Sequence, residues 1–230
     1  MGLPFSESFA AHTRGTFDSE YVNDGAVISY PAGHTCQIEM QYEGADPIGW
    51  LTEGITALGS GENLDVAFTF MLTEDQGAAS TWWTIFSAQN DTNNAGLWVQ
   101  VDFVPSGSNY RLRAGNATTW ITTAYSWALS SLTSIRLYAA LHATTGKLRL
   151  EVGGTSGAVE NLSIATLPNG SIDQFRIEGH CLKHASTGAT VTFDDVVVSN
   201  TLYAPFAPDK TYVQRKVYLS SGIPTGEVFT

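Results

Sequence analysis

The chain has 230 residues and a formal net charge of −11, with 14% of its residues charged and 43% hydrophobic. That length suits one large β domain or two small ones, and so acidic a balance excludes an electrostatic binder of nucleic acid or anionic membrane. No apolar run approaches the roughly 18 residues that a membrane-crossing helix needs.

The opening "MGLPFSESFAAH" has neither the basic nor the apolar segment of a secretory leader. Cys36 and Cys181 are too few for a disulfide scaffold. They read as buried free thiols, unless adjacent strands bring them together.

Period-two alternation runs through the chain, and helical periodicity is almost absent. Strands are expected at 26–30 and 36–43. The second, "CQIEMQYEG", puts Glu39, Gln41 and Glu43 on one strand face. "LDVAFTFML" follows, with Leu64, Val66, Phe68, Phe70 and Leu72 on one side. A strand at 80–88 holds the adjacent Trp82 and Trp83, one expected in the core and one facing out. "GLWVQVDF" alternates Leu97, Val99, Val101 and Phe103, and a short strand at 110–114 comes next. "SIRLYAALH" and "KLRLEVGG" continue with Ile135, Leu137, Ala139 and Leu141, then Leu148, Leu150 and Val152. Strands at 160–166, 172–178 and 190–199 complete the series. Turn signals such as "PSGSN", "ATTGK", "LPNGS" and "HASTG" separate these runs. About a dozen short strands so punctuated indicate an all-β, two-sheet antiparallel jelly-roll sandwich, here spanning residues 1–203.

Opposite the apolar positions lie Trp98, Gln100, Asp102, Arg111, Arg113, Arg136, Tyr138, Arg149, Glu151, Arg176 and Glu178. Rings that stack on a sugar face, beside side chains that fix hydroxyls, make Trp98, Asp102, Arg111, Arg113 and Tyr138 candidates for carbohydrate binding. The simpler reading of the same alternation, and the preferred one, is a ladder of cross-strand charge pairs. The five histidines make no metal pattern: in "HCLKH", His180 and His184 have helical spacing on a stretch that reads as strand.

In "GATVTFDDVVVSNT", strict alternation puts Val191, Phe193, Asp195, Val197 and Ser199 on one face and Thr192, Asp194, Val196 and Val198 on the other. The strand thus carries a carboxylate on each side at its middle, which is costly unless paired or metal-bound.

Residues 204–230 read as an extended C-terminal arm. The prolines of "YAPFAP" remove backbone donors and disfavour helix. "TYVQRKVYL" alternates into one short strand at 211–219, and Tyr212, Val213, Val217 and Leu219 are the candidate assembly residues. An isolated strand is expected to pair with a sheet edge, either of a neighbouring subunit or of its own sandwich.

The string from "LDVAFTFML" through "LHATTGKLRLEVGG" to "TVTFDDVVVSN" resembles the concanavalin A-like lectin/glucanase superfamily in its laminin-G-like jelly-roll form, over about residues 20–201. The resemblance implies sheets with one concave face and ligand loops at one rim. It also implies a structural Ca²⁺ at the acidic pair of the last strand, held by Asp194 and Asp195 with Glu7 or Asp18 helping. Some members cleave β-glucans with a Glu-x-Asp-x-Glu strand, using two carboxyl groups about 5–5.5 Å apart. Here Gln41 replaces the central Asp, and the strand sits nearer the N-terminus.

With no catalytic constellation, the expectation is a non-enzymatic structural virion protein, a phage capsid decoration or tail component. It would assemble through its arm as a homo-oligomer, contact capsid or tail proteins and bind surface glycans. Its expected place is the virion surface or, alternatively, outside a cell. A carbohydrate-binding lectin module and, behind it, a glycan-cleaving hydrolase are the alternatives.

Overall fold

The computed structural model describes residues 3–11, 13–23, 25–31, 35–40, 48–73, 82–90, 96–103, 109–116, 118–122, 127–128, 130–152, 160–166, 170–181, 189–200, 215–218 and 224–228. All regular structure among them is strand: β1 Phe5–Glu7, β2 Ser19–Asn23, β3 Ala26–Ser29, β4 Cys36–Met40, β5 Ile48–Leu58, β6 Asn63–Thr73, β7 Trp82–Gln89, β8 Gly96–Phe103, β9 Asn109–Asn116, β10 Thr119–Thr122, β11 Trp127–Ala128, β12 Thr133–Ala140, β13 Gly146–Val152, β14 Glu160–Ile164, β15 Ile172–Cys181, β16 Ala189–Ser199, β17 Arg215–Tyr218 and β18 Pro224–Val228.

Two antiparallel sheets face each other. The first runs β14-β13-β12-β6-β16-β4-β3 with β1 also on β16; the second runs β10-β9-β8-β7-β15-β5-β2 with β11 also on β9. Between them lies one apolar core, including Phe68, Phe70, Phe86, Phe175 and Phe193. The N-terminal segment belongs to it: the Phe5 ring meets Phe17 at 4.9 Å and Phe175 at 5.1 Å. Edge contacts of this kind add to what area burial alone contributes.

β5 has no counterpart among the expected strands, although it runs beside β15 and β2 in the second sheet. Its inward positions explain why: Gly49, Leu51, Glu53 and Ile55 put a glycine and a carboxylate where alternation looks for apolar residues. The glycine is required. A Cβ at Gly49 would come within 2.9 Å of Ile38 Cγ2, and one at its register partner Gly179 within 2.8 Å. Two facing bare backbones thus make the space that Ile38 of the first sheet fills. Glu53 is fully buried, and its Oε2 accepts a hydrogen bond from Asp18 N at 3.1 Å. Burial and the neighbouring Asp18 push its carboxyl above the usual range.

The alternation expected through Asp194 and Asp195 breaks. On its β6 side the register advances from Asp194↔Thr69 to Val197↔Ala67, one extra residue on β16. On its other side, β4 pairs with residues 189–193 and β1 with 196–198. The acidic pair is a β-bulge where β16 exchanges one partner strand for another, with Asp195 at φ 49°. The parity flips, so Val196 and Val198 enter the core beside Val191 and Phe193, while Asp194 and Asp195 stay off it. No carboxylate is buried here.

Cys36 is a buried free thiol, with its pKa pushed up by that burial. The strand expected at 211–219 is found as the shorter β17, and it pairs with β18. Its backbone is therefore partnered within the chain. Val217 stands opposite Gly226 in that hairpin, while Tyr212, Val213 and Leu219 lie outside the described residues.

Candidate functional site

The outer face of the second sheet is built by simple alternation. On β15, Phe175, Ile177 and Gly179 point inward, and Gln174, Arg176 and Glu178 point outward. Trp50 and Thr52 face out from β5, Ser87 and Gln89 from β7, Trp98 and Gln100 from β8, Arg111 and Arg113 from β9, and Trp120 from β10. Register aligns them in rows. One row reads Thr52, Arg176, Ser87, Trp98, Gly115, Trp120 across six strands. A second reads Thr84, Gln100, Arg113, Thr122, and a third Tyr21, Trp50, Glu178.

The floor of this face is polar yet hidden from solvent: Ser87 is 1% exposed, Gln89 3%, Thr84 4%, Glu178 5%, and Gln100 and Gln174 7%. The half-buried side chains around it are larger: Trp50, Trp98, Arg113, Trp120 and Arg176. Two guanidinium groups lie over indole rings. The Arg176 carbon sits 4.5 Å from the Trp50 ring centre, and the Arg113 carbon 4.0 Å from that of Trp120. Each is also held by a glutamine. Arg113 Nε donates to Gln100 Oε1 at 2.8 Å, and Gln100 Nε2 donates in turn to Thr84 Oγ1 at 3.0 Å. With the Gln89 amide turned so that its oxygen faces the guanidinium, Arg176 Nη1 donates to it at 2.8 Å. Tyr21 stacks on the far side of this cluster against Trp50, with ring centres 4.3 Å apart.

Buried polar groups are normally paired, and this floor leaves some unmet. Gln174 Nε2 has no hydrogen-bond partner among the described residues. Ser87 Oγ makes no well-formed hydrogen bond either, yet lies close enough to Glu178 to favour its charged form. Burial outweighs that effect and the pull of Arg176, and raises the Glu178 carboxyl to about 7. Desolvation disfavours the charged form of a carboxyl group.

The sequence-derived sugar-binding set divides between the two sheets. Trp98, Arg111 and Arg113 stand on this face; Asp102 is on β8 opposite Arg111, its side chain outside the described residues. Tyr138 is on the outer face of the first sheet, beside charge pairs of which one, Arg136–Asp65, runs between strands. There Arg136 grips Asp65 at 3.2 and 2.9 Å and lies 4.8 Å from the Tyr138 ring centre, and Arg149 pairs with Glu151 at 2.8 Å. Glu39 is on β4 of the first sheet, and Gln41 and Glu43 lie outside the described residues.

Of the candidate calcium ligands, Glu7 is engaged by protein donors. Its Oε1 accepts from Phe9 N at 2.7 Å, and its Oε2 from Thr16 N at 2.7 Å and Thr16 Oγ1 at 3.1 Å. Asp194 Oδ1 accepts from Asp195 N at 2.9 Å. Among the described residues no three of His, Cys, Asp and Glu gather as a metal site would require.

Trp50, Tyr21, Gln89, Ser87, Gln174 and Trp120 went unnoticed in the sequence. Trp50 and Tyr21 sit on strands whose alternation is weak. The polar side chains Ser87 and Gln89 lie in a run, "WTIFSAQ", that reads as plain core strand.

No protein-family model matches the chain, and no curated protein is similar to it at a significant level. Solved structures are similar. An endo-β-1,4-glucuronan lyase from the fungus Trichoderma reesei superposes with a TM-score of 0.66 at 14% identity, covering 86% of this chain and 95% of that one. The alginate lyase from Klebsiella pneumoniae gives 0.61 at 8%, covering 78% and 86%. The carbohydrate recognition domain of Emp47p gives 0.55 at 13%, covering 86% and 95%. The expectation of a non-enzymatic protein is thereby corrected: polysaccharide lyases are built on this architecture, and its lack of a glucanase motif gave no ground for excluding catalysis. The chain has the two-sheet jelly-roll fold shared by carbohydrate-binding domains and polysaccharide lyases.

Proposed function

We propose that the outer face of the second sheet binds an acidic polysaccharide and cleaves it by β-elimination. The observation that carries this reading is the hidden polar floor, with its unmet Gln174 amide, set between Trp50 with Arg176 and Trp98 with Arg113. Sugar hydroxyls would satisfy the floor, and the indoles offer faces for sugar rings. Arg111, Arg113 and Arg176 put three cations on one face of a chain whose net charge is −11. That favours a uronate polymer over a neutral glycan.

Hydrolysis by the common route needs a pair of carboxyl groups. Glu178 is the one carboxylate that alternation directs outward at the centre of this sheet among the described side chains. Elimination needs a cation against the uronate carboxylate and one proton-transfer group, which this arrangement can supply. The named lyases lend the fold-level support. None of the structures named above is a virion protein, so a capsid or tail role has no such support. An extracellular or virion-surface location suits a polymeric substrate.

The test is a panel of polyglucuronate, alginate and neutral β-glucan, read by the ultraviolet absorbance of unsaturated ends and by affinity electrophoresis. Retardation and new unsaturated ends with a uronate polymer support the reading. Binding confined to the neutral glucan, or none at all, would sink it.

A structural calcium at the Asp194–Asp195 bulge is a separate proposal, supported by two off-core carboxylates on one turn of chain. A melting temperature unchanged by excess chelator refutes it, since a ligand bound only to the native state must stabilise it.

A further inference from the structure

Glu178 lies deeper in this face than any other described carboxylate. It stands two residues from Arg176 on β15 and opposite Trp50 on β5, with Ser87 of β7 beside it. A charged group at 5% exposure is kept only with compensation or with a task. The compensation is one cation, Arg176, which also bonds Gln89 and lies over the Trp50 ring. β5 presents Trp50 and Thr52 to Glu178 and β7 presents Ser87 and Gln89, all uncharged; Tyr21 on β2 shares its row, and Arg176 is the cation beside it. The side chain of His180 is outside the described residues.

We infer that Glu178 is the proton-transfer residue of this site, acting on a uronate whose carboxylate lies against Arg176. The inference rests on the reading of this face as an acidic-polysaccharide site. The Glu178 carboxylate removes the proton from the sugar carbon next to the uronate carboxyl. The C–H electron pair becomes the new carbon–carbon double bond as the bond from the adjacent carbon to the glycosidic oxygen breaks. The proton then passes from Glu178 to the departing oxygen, leaving Glu178 as it began. Atoms and charge balance without a co-reactant. A carboxyl that titrates at about 7 suits both halves, because transfer in each direction is efficient when the group's pKa lies near the working pH.

Glu178→Gln in the full chain, assayed on polyglucuronate and alginate, is the test. The expected result is a loss of kcat of about 100-fold or more, with retardation on the polymer kept. The wild-type kcat/KM should rise through a limb near pH 7, and this limb should vanish in the variant. Ser87→Ala supplies a second arm: it removes the hydroxyl that favours the charged form, so the limb should move to higher pH. Activity of Glu178→Gln within about tenfold of wild type, or a limb unmoved by both substitutions, overturns the inference. Wild-type protein that binds uronate polymer without releasing unsaturated ends overturns it too, and leaves the binding face standing. Absence of binding instead overturns the reading of the face itself.

Discussion

The two sheets present outer faces that look alike in sequence and differ in chemistry. On the first, two arginines meet carboxylates: Arg136 holds Asp65, and Arg149 holds Glu151. The first pair joins β12 to β6 and favours their register, while the second lies along β13 itself. On the second, arginines lie on indoles and share glutamine oxygens, and the floor keeps a buried carboxyl with unmet donors beneath them. Opposite charges that neutralise one another serve the fold. On the second face, a ligand would complete the buried Gln174 donor.

The largest contrast is expected in turnover. Arg176→Ala should lower kcat/KM on a uronate polymer by about 100-fold or more, the loss typical of removing one positioned electrostatic partner. Arg136→Ala, made on the other face, should leave it unchanged. Equal losses from the two substitutions, measured under identical salt, would erase the distinction between the faces.

Next comes stability. The Glu178 carboxyl is raised from 4.5 to about 7 by folding. Below the unfolded value both states hold the proton and nothing is lost. As pH rises, the unfolded chain gives up its proton first, and stability declines until the folded group has also titrated. At roughly 1.4 kcal/mol per unit, the accumulated cost above pH 7 is on the order of 3 kcal/mol. Glu178→Gln should therefore raise the melting temperature at pH 8 and not at pH 4. For a chain of this size, each kcal/mol moves it by about 2–4 °C. Thermal scans at both pH values check the sign, and an equal change at both would show that titration is not the cause.

A smaller effect is expected at Trp98, which lies in the same row as Arg176 and Ser87. Trp98→Ala should weaken polymer binding by about 1 kcal/mol, or roughly fivefold in Kd, if its ring carries a sugar face. Calorimetric titration with a uronate oligosaccharide reads this directly, and an unchanged Kd would remove Trp98 from the site.

The smallest effect belongs to the ladder. The Arg136 side chain is 45% exposed and its partner Asp65 11%, so solvent screens much of the attraction. Replacing Arg136 with Ala should cost under about 1 kcal/mol of stability, a cost that shrinks as salt rises. Denaturant titration at low and high salt measures it. A loss several times larger would mean that this face, too, is more than a ladder.

Sequence reasoning reached the fold through elements whose inward positions are uniformly apolar. β6, β8, β12 and β13 alternate cleanly, and their register then follows from keeping Val66, Val99, Leu137 and Leu150 in one core. It failed at β5, where Gly49 and Glu53 occupy inward positions for reasons that lie on other strands: Ile38 across the sandwich and Asp18 in the N-terminal segment. It failed at β16 because a bulge is an event between strands, invisible until β4 and β1 are seen to share one edge.

The candidate site divides along the same line. Trp98, Arg113, Arg176 and Glu178 could be named as outward residues, since a strand's period of two is a property of the backbone alone. Which of the outward residues gather was beyond reach. Arg113, Arg136, Arg149 and Arg176 read identically along the chain, and only the order of strands sends Arg136 to Asp65 and Arg176 to Trp50. The burial of Glu178 is likewise a product of assembly. Its own strand says only that it faces away from the core, whereas β5 and β7 close around it and decide that its carboxyl is desolvated.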